Sequence, residues 1–280
     1  MDRAAKASNG PVQATRRLAP AALSGLLILA GCAGRPAIVP APAAHVQGAG
    51  AACVRPATAG AGYRSLDPAA VTALLGPPPD VHGEAQQREL DAVLAVQAAA
   101  RETPRRALAI ADSKASCARF ADALGAEVPA AAVPFLDRVA LQAAGVTGAA
   151  KRHYHRARPY VGHVEVERLA DVVADAAAAA DRDVADARDF SSYPSGHSAF
   201  GAACAILLAD MVPERAGALF ERARSYAESR EIVGAHFPRD VEAGRVAGAL
   251  AMASIQQDPC YREDEAAVRA TLRAALQLPR

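Results

Sequence analysis

The chain has 280 residues, of which 52% are apolar and 22% charged, with 31 basic and 30 acidic side chains. This balance excludes global disorder, and a net charge of +1 supplies no overall basic excess for binding a nucleic-acid polymer, so any anion site must be local. Aromatic residues make up only 4%, Trp is absent, and the apolar mass is mostly Ala, Leu and Val, which favours packed helices over sheets.

From the N-terminus, residues 1–31 read as an address rather than as part of a fold. Arg3, Lys6, Arg16 and Arg17 form a basic leader, followed by an apolar run from Leu18 to Gly31. That run is short for a membrane span but suits the core of a signal peptide. It ends in Leu29-Ala30-Gly31-Cys32, which resembles the lipobox of bacterial lipoproteins. The resemblance implies that Cys32 is lipidated and becomes the mature N-terminus. The pair Arg16-Arg17 is partly similar to a twin-arginine export signal, so the export route stays open. Without residues 1–31 the chain carries 27 basic and 29 acidic side chains, a net charge of −2. Residues 32–62 are rich in Ala, Pro and Gly and read as a tether. The expected location is the periplasm, with contact to a bacterial membrane only through the lipid on Cys32.

Export changes how the cysteines are read. Cys53, Cys117, Cys204 and Cys260 remain, an oxidising compartment permits disulfides, and three full pairings are open. Cys204 sits in an apolar helical run and could equally be a buried thiol. No Cys pair has the short spacing of a zinc site.

Residues 63–280 read as one helical domain. Asp67 to Leu75 is a short helix with Asp67 as N-cap and Pro68 at the first helical position, ended by Gly76-Pro77-Pro78-Pro79. Glu84 to Ala100 places Leu90, Val93, Leu94 and Gln97 at helical spacing. Pro104 to Leu124 repeats that character. Val133 to Ala143, a segment carrying Lys151, Val164 to Ala180, Ser195 to Met211, Val241 to Ile255 and Ala266 to Leu276 complete the predicted helices, with Ser195–Met211 and Val241–Ile255 apolar enough to be central. The sequence shows no alternating strand pattern, repeat or dinucleotide glycine loop. No apolar run in this body reaches eighteen residues, so it is not expected to span a membrane.

Three segments carry chemistry. Lys151 to Arg158 packs Lys151, Arg152, Arg156, Arg158, His153 and His155 into eight positions, a like-charge cluster that an anion would stabilise. Taken alone it is equally a solvated basic face. Ser192-Tyr193-Pro194-Ser195-Gly196-His197-Ser198 precedes an apolar helix, whose first N–H groups and dipole make an anion site. Gly196 would let a ligand oxygen approach the backbone, and His197 can exchange a proton near neutrality. Taken alone it is a capped helix with a surface histidine. Ser229-Arg230 is followed by His236 and Asp240, four residues apart, where a carboxylate could take a hydrogen bond from one ring nitrogen and present the other as nucleophile or base. Arg230 offers a planar fork to phosphate-like oxygens. Taken alone, this is a structural His–Asp pair. Together, two imidazoles, a carboxylate, a helix N-terminus and three cations are what phosphoryl transfer without a metal needs.

The three segments resemble the signature of the type 2 phosphatidic acid phosphatase superfamily at all eleven fixed positions, in order: Lys151, Arg158 and Pro159; Pro194 to His197; Ser229, Arg230, His236 and Asp240. Within it the chain is most similar to the class A bacterial non-specific acid phosphatases, over about residues 65–260. Phe237 stands where that family would have Trp, a change in a pocket wall rather than in the chemistry. The resemblance implies an all-α multi-helix bundle of the phosphatase and vanadium haloperoxidase type. It implies a phosphomonoesterase without cofactor or metal. His236 would attack phosphorus, oriented by Asp240, and His197 would protonate the leaving alcohol and then activate water. Lys151, Arg158 and Arg230 would hold the phosphate oxygens, with Ser195 and Gly196 completing the cradle. His153 and His155 would lie at the rim, Arg152 and Arg156 would extend the positive field, and His45, His82 and His163 carry no pattern. A small phosphomonoester is the expected partner, and oligomeric state stays open between monomer and homo-oligomer. Alternatives are a phosphatase for lipid or polyprenyl phosphates, a vanadium-dependent haloperoxidase and a non-catalytic anion-binding lipoprotein.

Overall fold

The computed structural model describes Cys53, residues 62–169 and residues 188–279, all within the unit Gly48–Arg280. The expected leader, Cys32, His45, nearly all of the tether and the later part of the expected 164–180 helix lie outside these residues.

Every regular element among the described residues is helical: α1 Pro68–Leu75, α2 Glu84–Ala100, α3 Pro104–Ala111, a 3-10 turn Cys117–Phe120 running into α4 Ala121–Leu124, α5 Val133–Gly145, α6 Gly148–Tyr154, α7 Gly196–Met211, α8 Ala216–Ile232 after a second 3-10 turn at Pro213–Arg215, α9 Pro238–Ile255 and α10 Pro259–Ala275. This is the expected all-α architecture. No helix among these residues is long and apolar enough to cross a membrane.

α7 is the axis of the bundle. It is apolar on every side, and α5, α8 and α9 pack around it. Where α7 crosses α9 the backbones nearly touch. A Cβ on Gly244 would stand 2.1 Å from the Ser195 carbonyl oxygen, and one on Gly248 would stand 2.3 Å from that of Ala199. Only glycine permits so close an approach. The Ser195 N–H donates to the Asp240 carbonyl oxygen at 2.8 Å. The N-terminal ends of α7 and α9 are therefore fastened side by side, and His197 and His236 sit at those ends.

Three expectations change. The predicted helix 104–124 is broken after Ala111. Asp112 is fully buried, its carboxylate held by Arg222 Nη2 at 2.5 Å and by the Ser229 hydroxyl at 2.7 Å. The Cys117 N–H donates to Asp137 Oδ1 at 2.6 Å, and Cys117 is bonded to Cys204. These anchors pull residues 112–116 out of a helical path. Residues 164–169 are likewise not helical. Conversely, α8 has no counterpart among the predicted helices. Its buried residues Leu219, Ala223, Tyr226, Ala227 and Ile232 keep helical spacing, but small alanines and many charges mask the stripe.

Of the three open cysteine pairings the structure has Cys53–Cys260 and Cys117–Cys204. The latter ties the turn after α3 to α7 across 87 residues, and both partners are fully buried. Closing a loop of that size typically stabilises a fold by about 2–4 kcal/mol. A Cys117→Ala/Cys204→Ala double variant should therefore unfold at clearly lower denaturant concentration than the oxidised wild type. An unchanged midpoint would show that the bond contributes nothing.

Candidate active site

Six of the eight catalytic and phosphate-binding residues expected from the sequence come together in one cavity of about 230 Å³, from whose wall Ser195 and Asp240 are absent. Lys151, Arg158, Gly196, His197, Arg230 and His236 all line it. Its size suits a small anion rather than a drug-sized ligand, for which roughly 300–1,000 Å³ is usual. A larger cavity of about 540 Å³ shares Arg158 with it but contains neither imidazole.

Each functional side chain is positioned by a specific element. Lys151 comes from α6, and its Nζ donates to the Ser191 carbonyl at 2.6 Å. Arg158 lies in the loop after α6. Its Nε donates to the Arg188 carbonyl at 2.6 Å, and its Nη1 to the Ala235 carbonyl at 2.8 Å. Arg230 is on the last turn of α8, almost fully buried, with Nη1 donating to Ser113 Oγ at 2.9 Å and Nε without a hydrogen-bond partner. Three cations thus converge on one cavity. Burial, and then the neighbouring Arg158, push the Lys151 ammonium down to about 7. Burial likewise lowers Arg158 and Arg230 to about 10. An oxyanion entering this cavity would relieve all three.

At the start of α7, Ser195 is the N-cap. Its Oγ accepts from the Ser198 N–H at 3.2 Å and from the Ser198 hydroxyl at 3.0 Å. The Ser195 oxygen thus caps the helix as an acceptor, and the residue is fully buried and not on the cavity wall. What it offers is a helix start: the N–H groups of Gly196 and His197 make no backbone hydrogen bond among the described residues. Gly196 is on the wall itself.

His197 Nε2 lies 3.0 Å from the Ser113 carbonyl oxygen. A carbonyl can only accept, so Nε2 carries the proton and Nδ1 holds the lone pair. Burial, then the Arg230 cation, push this imidazole down to about 3, against the pull of the Ser113 carbonyl. His236 Nε2 lies 3.0 Å from Arg158 Nη1. A guanidinium can only donate, so Nε2 is the acceptor and Nδ1 bears the proton on the side of Asp240. Burial and Arg158 hold His236 well below the ordinary histidine value, so it is neutral and its Nε2 lone pair is available.

The His236–Asp240 pair departs from expectation. His236 Nδ1 is 3.7 Å from Asp240 Oδ2, too far for a hydrogen bond, and Nδ1 is buried without one. His236 precedes α9, which begins at Pro238, so the two side chains do not stack one helical turn apart. Asp240 is also occupied elsewhere. Oδ1 accepts from Arg156 Nη1 at 2.5 Å, and Oδ2 accepts from the Ser192 hydroxyl at 2.5 Å and from the Phe237 N–H at 2.9 Å. Burial acts to raise Asp240, but the His236 imidazole, the Arg156 guanidinium and the Ser192 hydroxyl outweigh it and bring the carboxyl down to about 2. Asp240 is ionised and beside the imidazole.

Other expectations sort cleanly. His153 and His155 are exposed, the latter stacked on Phe190 at 4.9 Å. Arg156 does not extend a positive surface, for it is buried against carboxylates. The Phe237 ring forms a wall under the Arg156 guanidinium, 4.3 Å from ring centre to Cζ. Ser113 escaped the sequence reading altogether, yet it binds both His197 and Arg230. The Asp112-Ser113 pair inside an alanine-rich helix was the available signal, since both residues favour caps and turns over helix interiors.

Among known proteins, residues 134–262 match the PAP2 superfamily. The chain is 36% identical over 126 residues to a non-specific acid phosphatase of Salmonella typhimurium, covering 45% of this chain and 46% of that one. It is 30% identical over 128 residues to an acid phosphatase of Zymomonas mobilis, covering 46% and 44%. A non-specific acid phosphatase of Providencia stuartii is 36% identical over 72 residues, 26% of this chain and 29% of the relative. The aligned regions span about half the length of the first of these curated relatives, or less.

Proposed function

Because this chain carries a PAP2 superfamily domain over residues 134–262, we propose that it is a phosphohydrolase that cleaves small phosphomonoesters, acting as a non-specific acid phosphatase. The observation that carries this reading is one cavity lined by two neutral imidazoles and three buried cations. Lys151, Arg158, Arg230 and the N–H groups at the start of α7 would hold the non-bridging oxygens. Arg158 would exchange its contact with His236 Nε2 for a phosphate oxygen, which frees that nitrogen. His236 Nε2 would then bond to phosphorus as the bond to the ester oxygen breaks, and the leaving alkoxide would take the Nδ1 proton of a His197 imidazolium, which bound phosphate makes easier to form. In the second step His197 would take a proton from water, the water oxygen would bond to phosphorus, and the P–N bond would break. Asp240 would stabilise the charge that His236 acquires.

The reaction is proposed to proceed without a metal. Three convergent cations repel a divalent ion and themselves supply the charge that phosphoryl transfer needs. Export to an oxidising compartment, with a lipid anchor at Cys32, is proposed from residues 1–32 and is in keeping with the two disulfides. A second reading, a phosphatase for lipid or other alkyl phosphates, is favoured by the apolar part of the cavity wall. Ala115, Leu141, Ala144 and Phe200 line it, and Leu141 is 58% exposed.

The test is a substrate panel on the purified chain, comparing p-nitrophenyl phosphate, a sugar phosphate and a short-chain phosphatidate in detergent, each with and without excess EDTA. Turnover of the first two that survives EDTA is expected. Turnover of phosphatidate alone would select the second reading, and no turnover of any would end both.

A further inference from the structure

Arg156 belongs to no fixed position of the sequence signature, yet it is as deeply buried as His236. It is 3% exposed. Nη1 donates to Asp240 Oδ1 at 2.5 Å, while Nη2 donates to Glu89 Oε2 at 2.6 Å and also to Gln86 Oε1. Its carbonyl accepts the Ser192 N–H at 3.0 Å, and the Ser192 hydroxyl in turn donates to Asp240 Oδ2. One residue thus fixes one Asp240 oxygen directly and the other through Ser192. The Phe237 ring beneath the guanidinium limits its movement. Arg156 does not line the catalytic cavity, so it does not meet phosphate.

We propose that Arg156 is a positioning residue of this site: it fixes Asp240 and cancels part of that carboxylate's charge, so that His236 keeps its Nε2 lone pair for phosphorus under acidic conditions. His236 is faced by Lys151 from α6, Arg158 from the following loop and Asp240 from α9, and it shares its cavity with His197 from α7 and Arg230 from α8. Asp240 is faced in addition by Arg156, and Glu231 from α8 acts on it through space. Glu89 from α2 shares Arg156. An uncancelled Asp240 would favour protonation of His236 and so block it as a nucleophile in acid, whereas Arg156 opposes that protonation.

The kinetic part of the proposal rests on the phosphatase reading, and the spectroscopic part does not. Arg156→Met keeps the stem and removes the charge. Its kcat for p-nitrophenyl phosphate should fall roughly 10–100-fold with KM little changed, since only the alignment of the reacting groups is lost. The acid limb of its rate profile should move up by about one pH unit. Arg156→Lys should restore the limb although not the full kcat. Glu89→Gln leaves Arg156 less neutralised and should move the limb the other way, which keeps the proposal testable if Arg156→Met does not fold. The ring resonances of His236, followed by NMR through a pH titration and assigned with His236→Asn, should shift in the same directions whether or not the protein turns over any phosphomonoester. A wild type without phosphatase activity would therefore overturn the functional reading alone. An unmoved His236 titration in Arg156→Met and Glu89→Gln, or a kcat loss that Arg156→Lys leaves without recovery of the limb, would overturn the role assigned to Arg156.

Discussion

His236→Ala should lose roughly 10⁴-fold or more of phosphomonoesterase activity, because it removes the atom that bonds to phosphorus and not merely a group that helps. The expectation follows from geometry: His236 Nε2 has its lone pair directed at a cation, Arg158, that phosphate can replace. His236 is 3% exposed, and its removal leaves Arg158 with fewer partners, so some loss of stability is also expected. His236→Asn separates the two effects, since it keeps a polar side chain there but no nucleophilic nitrogen. The decisive measurement is paired. Turnover of p-nitrophenyl phosphate should vanish in both variants while circular dichroism stays native. Rapid quenching in alkali should trap a phosphoenzyme in the wild type only. A folded His236→Asn protein with near-wild-type turnover would remove the covalent mechanism.

His197→Ala should lose roughly 10²–10⁴-fold, and the loss should depend on the leaving group. An alkyl phosphate needs a proton on its departing oxygen, whereas p-nitrophenolate leaves largely unaided. The variant should therefore be crippled on a sugar phosphate in the first step. On p-nitrophenyl phosphate it should release one burst of product and then stall as the phosphohistidine, because water lacks its base. Equal losses on both substrates with no burst would deny His197 this role. The pH dependence has a definite sign. Burial and Arg230 hold His197 down to about 3, so that the neutral ring has no Nδ1 proton for the leaving group. Bound phosphate offsets Arg230, Arg158 and Lys151, so the imidazolium becomes easier to form. The kcat of the wild type should accordingly fall as pH rises through the value His197 has in the complex, above about 3. That alkaline limb should be missing in His197→Ala.

The sequence was informative wherever a local rule suffices. Asp67-Pro68 starts α1 as read, since an N-cap carboxylate and a proline at N1 act within one turn. The centrality of Ser195–Met211 was legible because a helix apolar on every side can only be interior. The break after Ala111 was not legible, although an Asp and a Ser marked it. The groups that hold Asp112, namely Arg222 and Ser229, lie 110 and 117 residues further along the chain. The same distance hid Ser113, whose partner Arg230 is also 117 residues away.

The amino-acid order by itself determined the helical class, the eleven signature residues and hence the chemistry available, because these depend on residue type and short spacing. Tertiary structure alone decided how that chemistry is wired. It put Asp240 3.7 Å from His236 and in the grip of Arg156, gave each imidazole its tautomer through a partner remote in sequence, and left the hydroxyl of Ser195 to cap a helix. The physical reason is that hydrogen-bond partners in a buried site are chosen by which helices can cross closely. Here that choice was made where Gly244 and Gly248 let α9 lie against α7.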